Sequence, residues 1–240
     1  MSDLSNSNRS KAKGKDGNSQ SWLMTYADMM TLLFAFFVML YALSSPDPVK
    51  VSELQDAMAK EQGQKGTLQS QNEIKETMEE IVENLNLENV ARVTHDPRGV
   101  ALEMDGDICF SSGSTEIKSI LMAVLNETSN KILSTSNDYR MVVIEGHTDS
   151  APIPEKLRYI YPTNWELSAA RASNVVNYLI KNGVNSGRLQ ASGYADRWPA
   201  EISWYDVRSG KVNDSVIKEN NSTRSQMEKN RRIKIVFTNK

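Results

Sequence analysis

The chain has 240 residues, and its 28 lysines and arginines against 30 aspartates and glutamates give a formal net charge of −2, a balance that argues against nucleic acid as a main partner. Its single cysteine, Cys109, excludes an intramolecular disulfide framework and any Cys-x-x-Cys metal cluster. With a polar N-terminal segment and one long apolar stretch set aside, what remains is the size of one ordinary domain plus a linker.

Residues 1–21 are rich in Ser, Asn and Gly, with Arg9, Lys11, Lys13 and Lys15 as cations. They cannot bury a core, and a disordered tail is expected. Residues 22–44 follow as an apolar helix whose core stretch, Leu23–Leu43, about 21 residues at about 1.5 Å per residue, matches a bilayer core of about 30 Å. Asp28 is the only formally charged residue in this stretch. A lone carboxylate in hydrocarbon costs about 2.5–3.5 kcal/mol on insertion scales, so such residues are usually kept for ion or proton work. Cations precede the stretch and are sparse after it, in Ser44-Ser-Pro-Asp-Pro48. The positive-inside rule therefore puts the N-terminus in the cytoplasm and the bulk of the chain outside. A cleaved signal peptide is disfavoured by the Asp, by the length and by the lack of an Ala-x-Ala site. At about 100° per residue, Thr25, Thr31, Leu32, Ala35, Met39 and Ala42 lie near the Asp28 side, with Tyr26, Met30, Phe34, Phe37 and Tyr41 opposite.

Pro46 and Pro48 stop this helix. Residues 45–62 then hold a short amphipathic segment, with Val51, Leu54 and Met58 at helical spacing. Residues 63–73 read as a polar linker, and 74–240 as the folded domain. A helix is expected from Ile74 to Leu87, striped by Ile74, Met78, Ile81, Val82 and Leu85. A hairpin follows, its arms flanking Asp96-Pro-Arg-Gly99. Ile117 to Ile132 carry a second helical stripe, Met141–Ile144 a short buried strand, and Leu167–Ile180 a helix closed by Asn182-Gly183. Arg188–Gly193 and Arg232–Phe237 read as strands, and 195–229 as polar and irregular. The pattern predicts an α+β chain: one membrane helix, then an α/β sandwich of a mixed sheet and a helical layer.

The informative residues are polar groups at element ends. Glu145-Gly-His-Thr-Asp149 is expected just after the buried strand, Asn164-Trp-Glu-Leu-Ser-Ala-Ala-Arg171 opens a helix, and Asn230-Arg-Arg232 enters the last strand. A carboxylate and a guanidinium brought together would hold a zwitterion, Asp149 taking an ammonium and Arg171 a carboxylate. An internal Asp149–Arg171 salt bridge is the alternative left open by spacing alone. His147 has no second His or Cys nearby, so a structural role is expected and no metal site. Cys109 sits in the mostly apolar Asp107-Ile-Cys-Phe110 and reads as core.

Gly-His-Thr-Asp149, Asn164-x-x-Leu-Ser-x-x-Arg171-Ala, Gly193 and Asn230-Arg-Arg232, with Phe110-Ser-Ser-Gly-Ser114 before them, resemble the OmpA-like peptidoglycan-binding domain. Asn164-Trp-Glu-Leu-Ser168 and the N-terminal Ser21-Trp-Leu…Tyr26-Ala-Asp28-Met-Met-Thr31…Phe36-Phe37 resemble flagellar stator B subunits of the MotB/PomB family. The resemblance implies a mixed sheet with helices on one face. It implies a non-enzymatic motor subunit of the inner membrane, single-pass, with its C-terminal domain in the periplasm. Asp28 would bind the conducted ion, H+ or Na+, and no cofactor is implied. The diaminopimelate of the wall peptide would map to Asp149 and Arg171, with Asn164 and Arg231 nearby. Val51, Leu54 and Met58 would belong to a plug that keeps the unassembled channel closed. The implied partners are a four-span stator A subunit, a second copy of the chain, and peptidoglycan. A rival from a different class, a non-conducting membrane-tethered peptidoglycan anchor, explains the C-terminal domain and leaves Asp28 without a role.

Overall fold

The computed structural model describes residues 19–43, 70–111, 113–134 and 138–239. They fall into an N-terminal helix and a separate C-terminal body. The amphipathic segment with Val51, Leu54 and Met58, and most of the linker, lie outside the described residues.

The N-terminal helix, α1, runs over Ser19–Leu43. Trp22–Tyr41 within it has a mean hydropathy of 1.8 over its most apolar window, and among the described residues it is the one helix long and apolar enough to cross a bilayer. Every residue from Trp22 to Tyr41 is exposed. An apolar surface of that extent calls for lipid or partner helices around it. The Thr31 hydroxyl donates to the Asp28 carbonyl at 2.8 Å, which leaves the Asp28 carboxylate free of that partner.

The body opens with α2, Gln71–Asn84. It starts three residues earlier than the apolar stripe suggests because Ser70 and Glu73 form a capping box. The Glu73 amide donates to Ser70 Oγ at 3.2 Å and the Ser70 amide to the Glu73 carboxylate at 2.9 Å, satisfying two otherwise unpaired donors. The hairpin forms as β1, Ala91–Asp96, and β2, Gly99–Asp105. Next come α3, Ser119–Thr128, prolonged by a π-turn over Ser129–Leu133, then β3, Val142–His147, α4, Asn164–Lys181, β4, Leu189–Gly193, and β5, Arg232–Thr238. The strands form one mixed sheet in the order β1-β2-β5-β3-β4. Only β3 and β4 are parallel, and α4 is the crossover that joins them.

Strand alternation sorts the sheet into two unlike faces. Val100, Leu102, Met104, Val142, Ile144, Ile233, Ile235 and Phe237 point at Leu121, Leu125, Val175 and Leu179 of the helical layer, forming the apolar core. Two glycines let α4 lie close: a β-carbon on Gly146 would strike the Ser168 carbonyl, and one on Gly193 would sit 2.6 Å from the Ala169 nitrogen. Cys109 is buried on this side, and burial pushes its thiol up to about 12, so it is inert.

The opposite face is charged and nevertheless covered, which the expected two-layer arrangement did not include. Lys234 Nζ lies 2.8 Å from Asp96, and Arg98 bridges Asp96 at 2.7 Å and Glu145 at 2.6 Å. The Trp198 ring closes over them, 5.2 Å from Lys234 Nζ. Residues 195–229 are likewise not irregular throughout. They contain three short helices, Trp204–Arg208, Asp214–Glu219 and Arg224–Asn230, capped by Ser203, Asn213 and Thr223. Their amphipathic stripes are too short for periodicity to register. The expected strand end at Ile144 is also corrected. Glu145 and His147 belong to β3 and are buried on the charged face, because they pair with Lys234 and Arg232 of β5.

Candidate functional site

Just past the C-terminal end of β3 the chain leaves the sheet, and a cleft of about 450 Å³ opens between this exit, the start of α4 and the start of β5. Asp149, Asn164, Arg171 and Arg231 all line it. Asn164, Leu167 and Arg171 are spaced by three and four, so one face of α4 presents all three. The first turn of that helix is fixed by a second capping box, in which the Glu166 carboxylate accepts from the Thr163 amide at 2.8 Å and also from the Thr163 hydroxyl. Asn164 then uses its amide to hold the facing loop, donating to the Asp149 carbonyl at 3.1 Å and the Ala151 carbonyl at 3.0 Å.

The expected alternative of a direct Asp149–Arg171 bridge is not formed. Asp149 accepts instead from Arg231 Nη1 at 2.6 Å. Arg231 turns its other edge to Asp107, donating from Nε at 3.1 Å and Nη2 at 2.6 Å. The bidentate contact lowers the Asp107 pKa, and the two carboxylates raise that of Arg231, Asp107 most. Arg171 is held differently. Its Nε donates to the Ser114 carbonyl at 3.0 Å, and its guanidinium lies 5.0 Å from the centre of the Phe110 ring. It is only 7% exposed and forms no ion pair among the described residues. Burial therefore lowers its pKa.

The cleft thus contains two carboxylates and two guanidiniums, with Arg171 the cation left without a carboxylate partner. Sequence reasoning missed Asp107 and Phe110. Both lie in the mostly apolar run around Cys109, and the signal for Asp107 was the Asp-Gly-Asp107 triplet just before Phe110-Ser-Ser-Gly-Ser114. His147 lines no part of this cleft. It is buried between Tyr194, stacked at 5.3 Å, and Trp198, edge-on at 5.7 Å. No group of His, Cys, Asp or Glu fit for a metal ion occurs among the described residues.

Residues 6–61 match the family described as the membrane MotB of the proton-channel complex MotA/MotB, and residues 109–213 match the OmpA family. Motility protein B of Bacillus subtilis is 28% identical over 80% of this chain and 87% of its own length. Motility protein B of Helicobacter pylori is 25% identical over 91% of this chain and 86% of its own. The chain is similar to MotB at both ends and along most of its length. An uncharacterised B. subtilis protein, YtxE, is 29% identical over 95% of this chain and 93% of its own. In fold, the body resembles a MotB-like protein from Desulfovibrio vulgaris, with a TM-score of 0.56 at 20% identity over 72% of this chain and 94% of that one. Arg231 and Arg232 fall beyond the OmpA-matched range, yet β5 that they open lies inside the sheet, between β2 and β3.

Proposed function

We propose that this chain is an ion-conducting stator subunit anchored to peptidoglycan. The observation that carries the anchoring half is the charge arrangement of the cleft. Arg171 offers a fork without a carboxylate partner, and Asp107 and Asp149 offer carboxylate lone pairs beyond those Arg231 uses. A ligand bearing an ammonium and a carboxylate on one carbon leaves such a site neutral overall, and the diaminopimelate of a wall peptide has that form. Arg171 would take the carboxylate through two parallel N–H donors, and Asp149, steadied by Arg231, would take the ammonium. Phe110 under Arg171 and Leu167 beside it exclude water from the contact.

The conducting half rests on Asp28. Two copies of the chain would sit within a ring of four-span A subunits, the N-terminus cytoplasmic and the body periplasmic. Binding of H+ or Na+ neutralises the carboxylate, removes its desolvation cost and changes the partners it favours, so ion occupancy biases a two-state element. An elementary charge crossing 100 mV releases about 2.3 kcal/mol, so a large step needs several ions. The wall contact is the fixed point against which torque acts, and no covalent chemistry is required.

Two variants test the halves separately. Asp28→Asn is expected to abolish swimming while the full-length protein, in detergent, still sediments with purified sacculi. Arg171→Ala is expected to lose sedimentation. Normal swimming by the Asp28→Asn strain leaves the non-conducting anchor as the reading. Undiminished sedimentation of a folded Arg171→Ala protein removes the cleft from consideration.

A further inference from the structure

The loop that presents Asp149, residues 148–151, is pinned from outside at successive backbone groups. The Thr148 amide donates to the Ala195 carbonyl at 2.9 Å. The Asp149 and Ala151 carbonyls accept from Asn164. The Ser150 amide donates to Asn221 Oδ1 at 3.1 Å. That same Oδ1 accepts from Asn230 Nδ2 at 2.9 Å, and Asn230 is bonded directly to Arg231, the partner of Asp149. Asn221 Nδ2 is used as well, donating to the Ile217 carbonyl at 2.9 Å. Asn230 completes the set by accepting from the Ala200 amide at 2.8 Å and donating to the Asn220 carbonyl at 2.9 Å. Both asparagines are buried, 4% and 3% exposed. Asn221 begins an Asn-Ser-Thr triplet, but its committed amide and burial leave it unavailable for modification.

A polar residue with a merely local duty would satisfy the end of its own helix. Asn221 does that through Nδ2 and keeps its oxygen for two other elements, the Ser150 loop 71 residues away and the end of the following helix at Asn230, each next to a residue of the cleft. In a buried site an oxygen holding two N–H donors is a stiff joint, since moving either donor leaves it unpaired at a cost. We propose that Asn221 is a positioning residue: its amide oxygen sets the distance between Asp149 and Arg231, and so the place and orientation of the Asp149 carboxylate that forms the ammonium subsite. This rests on the reading of the cleft as a site for a zwitterionic wall peptide. Aspartate keeps the double acceptor but turns a carboxylate oxygen toward the Ile217 carbonyl in place of the Nδ2 donor, whereas alanine loses all three contacts.

The test uses full-length protein in detergent and the synthetic tripeptide L-Ala-γ-D-Glu-meso-diaminopimelate. Binding is measured by calorimetry, and hydrogen exchange is read at the Ser150 and Ile144 amides. Asn221→Ala is expected to bind about tenfold more weakly, with Ser150 exchange accelerated and Ile144 exchange, in the middle of β3, unchanged. Asn221→Asp is expected to bind within about threefold of the unsubstituted protein. If Asn221→Ala binds as tightly as the parent while Ser150 exchange is accelerated, the inference is overturned. It is also overturned if affinity falls only in step with Ile144 exchange, because the effect is then general loosening. Should both variants fail to fold, the parent protein decides. Its Ser150 amide is expected to exchange at least about 100-fold more slowly than in a free chain, and exchange at the free-chain rate refutes the clip. A parent protein that binds no tripeptide while Ser150 stays protected brings down the cleft reading, and the positioning role with it; the other failures leave that reading standing.

Discussion

His147 shows how much a single residue's meaning depends on what folds over it. In sequence it stands two residues from Asp149 and invites thoughts of acid–base or metal chemistry. In the structure it lies on the charged face of the sheet, wholly enclosed, with neither ring nitrogen hydrogen-bonded. Burial, reinforced by Arg232 and only partly opposed by Glu145, lowers its pKa to about 4. Lys234 adds to the positive field from β5. Because the folded value is depressed below the ordinary 6.5, the unfolded chain takes up this proton first as pH falls. Stability is therefore full above about 6.5, falls progressively toward pH 4 and levels off below it. The loss is on the order of 3 kcal/mol for that window at about 1.4 kcal/mol per unit. Asp96 acts lower on the scale. Arg98 and Lys234 outweigh its burial and hold it at about 2, so its contribution is present above the ordinary 3.8 and vanishes as pH falls to 2. Thermal unfolding of the body at pH 7, 5.5 and 4.5 should show a falling midpoint, and His147→Phe should flatten that slope. An unchanged slope in the variant would mean that another group carries the pH dependence.

At the scale of elements, α4 does two jobs, and its first turn is where they meet. Thr163 and Glu166 close the helix start, and the next residue, Asn164, reaches across to hold the Asp149 loop. Loss of an N-cap side chain costs about 1 kcal/mol. Thr163→Ala should therefore lower stability by roughly that amount. It should weaken wall binding more than an equal destabilisation placed at the far end of α4, such as Lys181→Gly. Equal sedimentation losses in two variants matched for stability would show that the cap has no special link to the cleft. The same helix illustrates what was legible in the chain. Its apolar spacing, and that of α2, α3, β2 and β5, named the elements because each has one face on a single apolar core. The second face of the sheet was not legible. Glu103, Glu145, Arg232 and Lys234 alternate with apolar residues as solvent-facing positions do, and it is Trp198 and Tyr194, remote in sequence, that cover Lys234 and His147 on this face. The cleft was legible in part for a related reason. Asp149, Asn164, Arg171 and Arg231 stand at element ends in distinctive motifs, whereas Asp107 hides in an apolar run. The pairing of Asp149 with Arg231 instead of Arg171 depends on a β2–β5–β3 order that no local pattern encodes.

For the whole molecule, the proposed conduction raises the question of how the helix with its one carboxylate would be kept from leaking before the body engages the wall. The segment between them carries Val51, Leu54 and Met58 at helical spacing only a few residues beyond α1, and the match to the MotB family extends through it to residue 61. An apolar stripe so near the bilayer needs an apolar surface, and the outer mouth of a channel built from partner helices is the nearest one. Headgroups are the competing surface, since an amphipathic segment can also lie at the membrane interface. Deleting residues 51–60 separates the two. If the segment closes the channel, overproducing the deleted chain with its A subunit slows growth and shifts cytoplasmic pH or sodium. Adding Asp28→Asn to the deletion then restores growth, because the leak passes through that carboxylate. If the segment only rests on lipid, the deletion produces no ion flux and the second substitution rescues nothing. The double variant also tests Asp28 without reference to swimming. A leak that persists in it means that ions pass without using Asp28, and the proposed coupling between ion flow and torque then has no residue to act through.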